Sequence, residues 1–598
     1  MTRVRRHTVR GGIGAALLLA VALAVSATAA HGYEGDDQAE HTVAAPELWK
    51  TLQEQRQHGQ QPPPTPEVLA DVRHDKSTPL RAAAPVFPGG KRKEAPENPA
   101  RQEAPVTMPP FFDPTLQTTR AARAMQTPNV SFGGIENVDG VLPPDTNGDV
   151  SASQYVQIVN LSFAVYSKTG SLLYGPANTN TLFAGFGGPC ETTNDGDPIV
   201  QYDQLADRWL ITQFALPNFP AGPFYQCIAV SASGDATGAY YRYEFQISAT
   251  KLNDYPKFAV WPDGYYASFN DFTQNSLAFA GATVIAFQRD KMVLGQPALA
   301  VKFELGTANY SLLPSNLDGS VLPPSGEPNT FVQMDDDAWG YLQDQLEVWK
   351  FHVHWGAPAS STFTHEGDLA TASFTELASG IPQAATTVRL DTLGDRLMYR
   401  LAYRNLGDHE AMVVNHSVDV GSNRSGIRWY ELRSTGGAWS IFQQGTYAPA
   451  DGLSRWMGSV AMDKFGNMAG GWSASSSSTH PSIRYGGRLS TDPAGSLGSE
   501  SLLVAGGGSQ THPAARWGDY SSIAVDPADD CTFWYTTEYL QATTSAAWKT
   551  RVASFRFPQC GPGGGDAGPT ITSFSPTSGP VSTLVAIDGA NFTGATAV

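Results

Sequence analysis

The sequence predicts an all-β chain whose body is a seven-bladed β-propeller, and three observations carry that prediction. A motif returns about seven times, short alternating runs are cut by Gly, Asn, Asp and Pro, and charge is scarce, at 16% of residues against a usual ~25%. In the motif an alternating apolar run enters an Asp-containing turn and a second, aromatic-rich run follows. Four copies show it best: DPIVQYDQLADRWLITQF from Asp197, DYPKFAVWPDGYYASFNDF from Asp254, MGSVAMDKFGNMAGGWSAS from Met457 and DYSSIAVDPADDCTFWYTTEY from Asp519. Weaker copies start near Asp145, Glu327 and Arg396. Their spacing, roughly 50 to 70 residues, is the length of a four-stranded blade with variable loops. Six or eight blades are the competing counts. An array of β-sandwiches is the competing fold, but it leaves the in-register Asp turn unexplained.

Taken in order, residues 1–30 read as a secretory signal. Arg3, Arg5, Arg6 and Arg10 precede an apolar run from Gly11 to Ser26, and small residues at Ala27 to Ala30 offer a cleavage site. An uncleaved anchor is the alternative. No later segment is apolar enough to cross a bilayer as a helix, so the expected product is secreted or held at the extracellular surface. Residues 31–124 are rich in Pro, Ala, Gln and charge, with QQPPPTPE at Gln60 and KRK at Lys91. Poor apolar periodicity makes this stretch a disordered linker or propeptide, because it offers little apolar surface to offset its ordering entropy.

The propeller is expected over residues 125–560. VQIVNLSFAVYS from Val156 and KTGSLLYG from Lys168 form a hairpin-like pair. The runs beginning at Val284, Leu346, Ile427 and Arg551 are expected as outer strands. The four cysteines lie in this region, and sequence proximity suggests bridges Cys190–Cys227 and Cys531–Cys560, although four cysteines allow three connectivities. No CxxC pair supports a zinc site.

Glycines dominate residues 561–568, and residues 569–598 follow as PTITSFSPTSGPVSTLVAIDGANFTGATAV. Ile571, Phe574, Pro576, Gly579, Val585, Ile587, Gly589, Asn591 and Phe592 resemble the opening of an immunoglobulin-like module of the plexin and transcription-factor type, IPT/TIG. The stretch is short for such a module, so a partial one is expected. The propeller region in turn resembles a family of large exported bacterial proteins with C-terminal adhesive or immunoglobulin-like modules. PPDTNGDVSASQYVQIVN at Pro143, GDPIVQYDQLADRWLITQF at Gly196, LGDRLMYRLAYRNLGDHEAMVVNHSV at Leu393 and RWGDYSSIAVDPADDCTFWYTTEYL at Arg516 carry this likeness. It implies a secreted or surface-attached product and brings no reaction with it.

The formal charge of −17 argues against nucleic acid or an anionic membrane as the main partner. The motif places an acid where each inner strand is expected to begin at the channel mouth: Asp145, Asp197, Asp254, Glu327, Asp395 and Asp519. Arg396, Arg455 with Trp456, and Arg516 with Trp517 stand beside them. Such a ring can hold a glycan or a protein ligand, with aromatic faces as platforms. Alternatively each acid caps its own turn and pairs with a neighbouring arginine. Asp145, Asn147 and Asp149 have a spacing that offers oxygen ligands to calcium, but Val150 and Val156 stand where the EF-hand loop needs Gly and Glu, so an Asx-rich turn competes. His409-Glu410 with His416, and His352 with His354, lack metalloprotease spacing. There is no nucleophile elbow or phosphate loop, and VDPADDCTFW at Val525 departs from the sialidase turn pattern in length and glycine position. The expected function is therefore non-catalytic binding or adhesion at the channel mouth. The alternative is an extracellular polysaccharide hydrolase or lyase using two of the ring carboxylates.

Overall fold

The computed structural model describes residues 63–85, 113–119, 124–377, 379–560, 570–576, 578 and 585–590. The expected signal peptide, much of the linker, the glycine run and most of the C-terminal stretch lie outside the described residues.

Seven antiparallel blades succeed one another along the chain, the fourth and fifth joined into one nine-stranded sheet. From inner to outer strand, blade 1 comprises Asn147–Val150, Gln154–Val159, Ser162–Ser167 and Leu172–Asn178. Blade 2 comprises Ile199–Asp203, Arg208–Ala215, Phe224–Ser231 and Tyr240–Ser248, and blade 3 comprises Lys251–Trp261, Gly264–Thr273, Phe279–Phe287 and Leu299–Glu304. Blade 4 comprises Leu313–Leu317, Asn329–Asp335, Gln345–His352 and Thr362–Ala370. Blade 5 comprises Met398–Asn405, Glu410–Asp419, Ser425–Ser434 and Ser440–Tyr447, and blade 6 comprises Ser454–Met462, Met468–Ser476, Thr479–Arg488 and Ser501–Val504. Blade 7 takes Ser522–Val525, Phe533–Tyr539 and Lys549–Phe555 from the C-terminal side, and its outer strand, Val130–Glu136, from the N-terminal side. Each inner strand touches the next, and the seventh touches the first, so the ring is closed.

A blade packs on both faces, which is why its strands do not alternate between core and water. All nine residues of Ser454–Met462 are buried. Aromatic side chains fill the seams: Phe163 and Trp209 between blades 1 and 2, Phe258 and Phe287 in the blade 2–3 cluster, Tyr266 and Phe351 between blades 3 and 4. Trp429 with Trp472, Tyr485 with Phe555, and Tyr155 with Trp534 continue the pattern around the ring. The Cys190–Cys227 bridge ties the loop before blade 2 to its third strand, and Cys531–Cys560 closes blade 7 on itself.

Two expectations need correction. Within the stretch expected to be disordered, Glu67–Ala70 adds a fifth strand to blade 3, Arg73–Lys76 adds one to blade 2, and Leu116–Gln117 runs parallel to the outer strand of blade 5. An edge strand gains its stability from backbone pairing with an existing edge, so it needs little apolar periodicity of its own. Ion pairs fasten it, Asp75 with Arg242 and Glu67 with Lys302, and Leu80 is buried in the blade 1–2 cluster. Secondly, the runs from Val284, Leu346, Ile427 and Arg551 are third strands, not the outermost. Third strands are covered on both faces and read as strongly apolar, whereas outer strands such as Leu172–Asn178 are half exposed and read weakly. Beyond the propeller, Thr570–Ser575 pairs antiparallel with Ala586–Ala590.

Because the ring closes through Val130–Glu136, a core change in that strand should be felt by the whole propeller. Ile135 is 1% exposed and packs in the blade 7–1 cluster. Ile135→Ala is expected to cost about 2–5 kcal/mol, with one cooperative transition in urea. A separate early transition of blade 7 would contradict the closed ring.

Candidate functional site at the channel mouth

The inner strands line the channel side by side, and polar side chains stitch them together. Asn147 Oδ1 and Asp149 Oδ2 of blade 1 accept the backbone N–H groups of Val200 (2.9 Å) and Tyr202 (2.8 Å) in blade 2. Gln201 donates to the Phe258 carbonyl of blade 3 at 2.9 Å, and Asn316 of blade 4 accepts from Val260 N at 2.8 Å. Blades 4 and 5 pair directly, with Ser315–Leu317 parallel to Leu401–Tyr403. Ser459 of blade 6 donates to the Tyr399 carbonyl of blade 5 (2.9 Å) and accepts from Ile523 N of blade 7 (3.2 Å). Ser522 closes the circle on the Gly148 carbonyl at 3.0 Å. Arg400 donates to the Ile523 carbonyl (3.0 Å) and pairs with Asp318 (2.7 Å), joining three blades. Burial raises the Asp149 carboxyl to about 7, with Arg400 opposing the rise.

At the mouth a left-handed residue precedes or interrupts six of the seven inner strands: Asp145 (φ 49°), Asp197 (46°), Tyr255 (53°), Ser311 (45°), Met457 (54°) and Asp519 (58°). Each lies two or three positions before the point where pairing with the second strand starts or resumes. Asp adopts this conformation more readily than most residues because its short side chain hydrogen-bonds locally. The recurring Asp of the motif is thus a backbone requirement in blades 1, 2 and 7. Asp197 adds a link, accepting from Tyr255 N at 3.1 Å.

Charges and tyrosines converge behind these turns. Lys257 Nζ sits 3.3 Å from the Tyr255 ring centroid and 4.1 Å from that of Tyr520. Arg396 lies 4.7 Å above the same Tyr255 ring and grips Asp395 through two hydrogen bonds of 2.8 and 2.9 Å. Arg516 grips Asp519 in the same two-pronged way. Burial pulls the Lys257 ammonium down to about 7, with Asp197 and Asp145 opposing and Arg396 adding to the fall. Burial likewise drives the Glu538 carboxyl well up, an N–H of Gly518 opposes, and the neighbouring Asp519 charge adds to the rise.

A strap between blades 4 and 5 contributes Asp395 and Arg396 to this ring. Residues 371–397, between blades 4 and 5, are anchored where Asp344 and Asp336 accept Phe374 N (2.6 Å) and Glu376 N (3.3 Å), and where Arg428 donates to the Ala372 and Ser373 carbonyls. The strap then meets blade 6 through Ser475 and Pro382 (2.7 Å) and the blade 6–7 loop through Asp391 N and the Ala515 carbonyl (3.0 Å). Its Leu377, Ile381, Leu390 and Leu393 join the apolar cluster of Trp456, Met457 and Trp517.

Of the residues singled out in the sequence, Asp145, Asp197, Asp395, Arg396, Arg455, Trp456, Arg516, Trp517 and Asp519 are between 0 and 9% exposed. Arg455 is held by Asp451 and Glu500, toward the outer part of blade 6. Asp254 is half-buried beside Tyr255, one position before the left-handed turn. Glu327 is a correction: it precedes the second strand of blade 4, at the end away from the mouth, and pairs with Lys350 at 3.0 Å. The left-handed residue of that blade is Ser311, which carries no acid for a motif search to find. Asn147 and Asp149 lie in a strand with their side chains on backbone N–H groups, not in a loop. Asp336, Asp337 and Asp344 bring three carboxylates close together, and Asp463 neighbours the bridged Cys531 and Cys560. Glu410 accepts from Tyr403 Oη at 2.8 Å, and His416 is buried against Tyr430. The His352 and His354 rings lie 4.3 Å apart at the surface, tilted by 35°. Sequence reasoning missed Lys257 and Glu538; the available signal was an ionisable residue within an otherwise apolar strand.

No protein-family model matches the chain, and no curated protein matches it. Among solved structures, it is similar to a protein of unknown function from Dyadobacter fermentans, 9% identical, TM-score 0.33, covering 60% of this chain and 94% of that one. It is similar to a Trypanosoma rangeli sialidase, 9% identical, TM-score 0.30, over 60% of this chain and 54% of that one, so it spans about half the sialidase. A xylan β-1,4-xylosidase from Bacillus halodurans is 8% identical, TM-score 0.28, over 71% of this chain and 96% of that one. Scores this low carry no argument about activity.

Two outcomes follow. Ser459→Ala leaves a carbonyl and an N–H of two other blades without this partner and is expected to cost about 1–3 kcal/mol in chemical denaturation; an unchanged midpoint would sink the stitching account. Lys257 titrates near 7 in the fold, against 10.5 ordinarily. Between those values the unfolded chain binds the extra proton, so this group makes stability rise with pH. The stability of the wild type relative to Lys257→Met should therefore rise from about pH 7 to about pH 10. A pH-independent difference would contradict it.

Proposed function

We propose that the chain is an exported, non-catalytic binding protein whose ligand is a glycan or an extracellular protein. The observation that carries this reading is the burial of the mouth charges, with Asp395 and Asp519 each gripped by an arginine two hydrogen bonds deep. A hydrolase needs two carboxylates of divergent proton affinity facing a substrate. The mouth ring, the ligand position expected from the sequence, acts in this reading as a rigid floor, and ligand contacts fall to exposed loops. The two disulfides are compatible with an oxidising, extracellular setting. Among the described residues no helix is long and apolar enough to cross a membrane. The resemblance to exported bacterial propeller proteins belongs to the same reading, and the strand pair at Thr570–Ser575 and Ala586–Ala590 is compatible with an IPT/TIG opening.

One observation favours the hydrolase or lyase alternative: Glu538, whose carboxyl is driven by burial well above the usual carboxylate range, lies within electrostatic reach of Asp519. A glycan array on the full chain, run with calcium and with chelator while reducing ends are followed, separates the readings. Selective binding without product is expected. Product that disappears in both Glu538→Gln and Asp519→Asn would overturn the binding reading in favour of the enzyme.

A further inference from the structure

On the face opposite the mouth, five separate stretches of chain, Leu173 of blade 1 among them, line an open cleft of about 750 Å³. Blade 1 contributes the turn between its first and second strands, and blade 2 contributes the two turns at the same end. The N-terminal segment contributes Arg81. The volume lies within the ~300–1,000 Å³ usual for small-ligand sites. The depression on the strap side, lined by Arg389 and Ala515, holds only about 220 Å³.

The polar groups of the cleft are pre-set. Tyr202 Oη donates to Asp207 Oδ1 at 2.6 Å. Gln154 donates to Asp235 at 3.0 Å, and Arg81 donates to the other oxygen of Asp235 at 2.7 Å. Gln154 is itself fixed, its side-chain carbonyl accepting from Ala236 N at 2.8 Å. Gly234 gives Asp207 its room: a Cβ there would lie 2.1 Å from Asp207 Oδ1. Beside these groups lie two apolar surfaces, the half-buried Tyr202 ring packed on Trp209 at 5.1 Å and the Leu173 side chain, 48% exposed. Hydrogen-bonding groups of both kinds, held in place next to an apolar ledge, match a sugar ring, which carries hydroxyls on its rim and C–H groups on its face. The lining carries two carboxylates, Asp207 and Asp235, against one guanidinium, Arg81, an excess of one negative charge.

We propose that this cleft is a saccharide-binding site selective for neutral or amino sugars over acidic ones. The proposal rests on the glycan form of the binding reading and names its site. Acidic sugars meet the excess negative charge and are disfavoured, whereas an amino group gains from it. Arg81 is well exposed and joined to the site mainly through Asp235, so its role is to present donors rather than to hold the fold.

The test is binding of the full chain to immobilised neutral, amino-bearing and uronate oligosaccharides, compared with Ser153→Trp and Arg81→Ala. Ser153 is an exposed cleft residue where an indole fills the space, and unchanged thermal unfolding checks that each variant folds. The expected result is retention of neutral or amino-bearing sugars by the wild type, weakened at least tenfold by Ser153→Trp and measurably by Arg81→Ala. Wild-type binding that Ser153→Trp leaves intact would overturn the cleft while leaving the glycan reading standing. Preference for uronates would overturn the assigned class. Binding of no saccharide would overturn both the cleft and the glycan reading.

Discussion

The fold depends on how seven short inner strands are held beside one another around a channel without a continuous backbone ladder. Only blades 4 and 5 pair their inner strands directly. Elsewhere Asn147, Asp149, Gln201, Asn316, Ser459 and Ser522 supply the missing partners from side chains. Each bond is worth only about 0.5–1.5 kcal/mol net, but a buried backbone group left without one costs more than that. The constraint therefore selects small polar residues on the channel side of strands that are otherwise apolar. The same constraint shapes the mouth, where six of the seven inner strands are entered or interrupted by a left-handed residue.

This ordering explains why the motif looked functional. An acid recurring in register at a channel mouth resembles a binding ring. Asp145, Asp197 and Asp519 recur because Asp tolerates a positive φ, and Tyr255, Ser311 and Met457 take the same conformation without any acid. Burial then forces the remaining charges into pairs, since an isolated charge removed from water is costly. Lys257 is the exception: it rests on two tyrosine faces and gives up part of its proton affinity. The strap completes the arrangement by contributing the Asp395–Arg396 pair to it. In the binding reading proposed above, ligand recognition falls to surfaces such as the blade 1–2 cleft, whose groups are fixed by their neighbours yet reach solvent.

Repetition made the propeller legible in the sequence, since alternating runs and turn residues repeat at blade length. The seven blades, the inner and second strands of the best copies and both disulfide pairings could be read there. The register failed where the defining feature was conformational rather than chemical. Glu327 was placed at the mouth because it is acidic, whereas blade 4 turns at Ser311. The edge strands at Glu67–Ala70 and Arg73–Lys76 were illegible because they are fastened by pairing with distant blades, which leaves no local pattern. The cleft was illegible for the same reason: Arg81, Leu173 and Asp207 lie far apart in sequence. Lys257 stood in plain view within an apolar run, but its surroundings come from blades 1, 2, 5 and 7.

The central claim is that the charged mouth is a closed structural ring. Lys257 offers the most direct measurement, because an amine that titrates near 7 is largely unprotonated at mildly alkaline pH and reacts readily wherever a reagent can reach it. Native protein treated with a small amine-acylating reagent, followed by peptide mass spectrometry, reports that access. The account predicts that Lys257 stays unmodified in the folded protein while exposed lysines react, and that it is modified once the chain is unfolded. Rapid modification of Lys257 in the native state would show the mouth open and would return the ring to the list of candidate ligand sites.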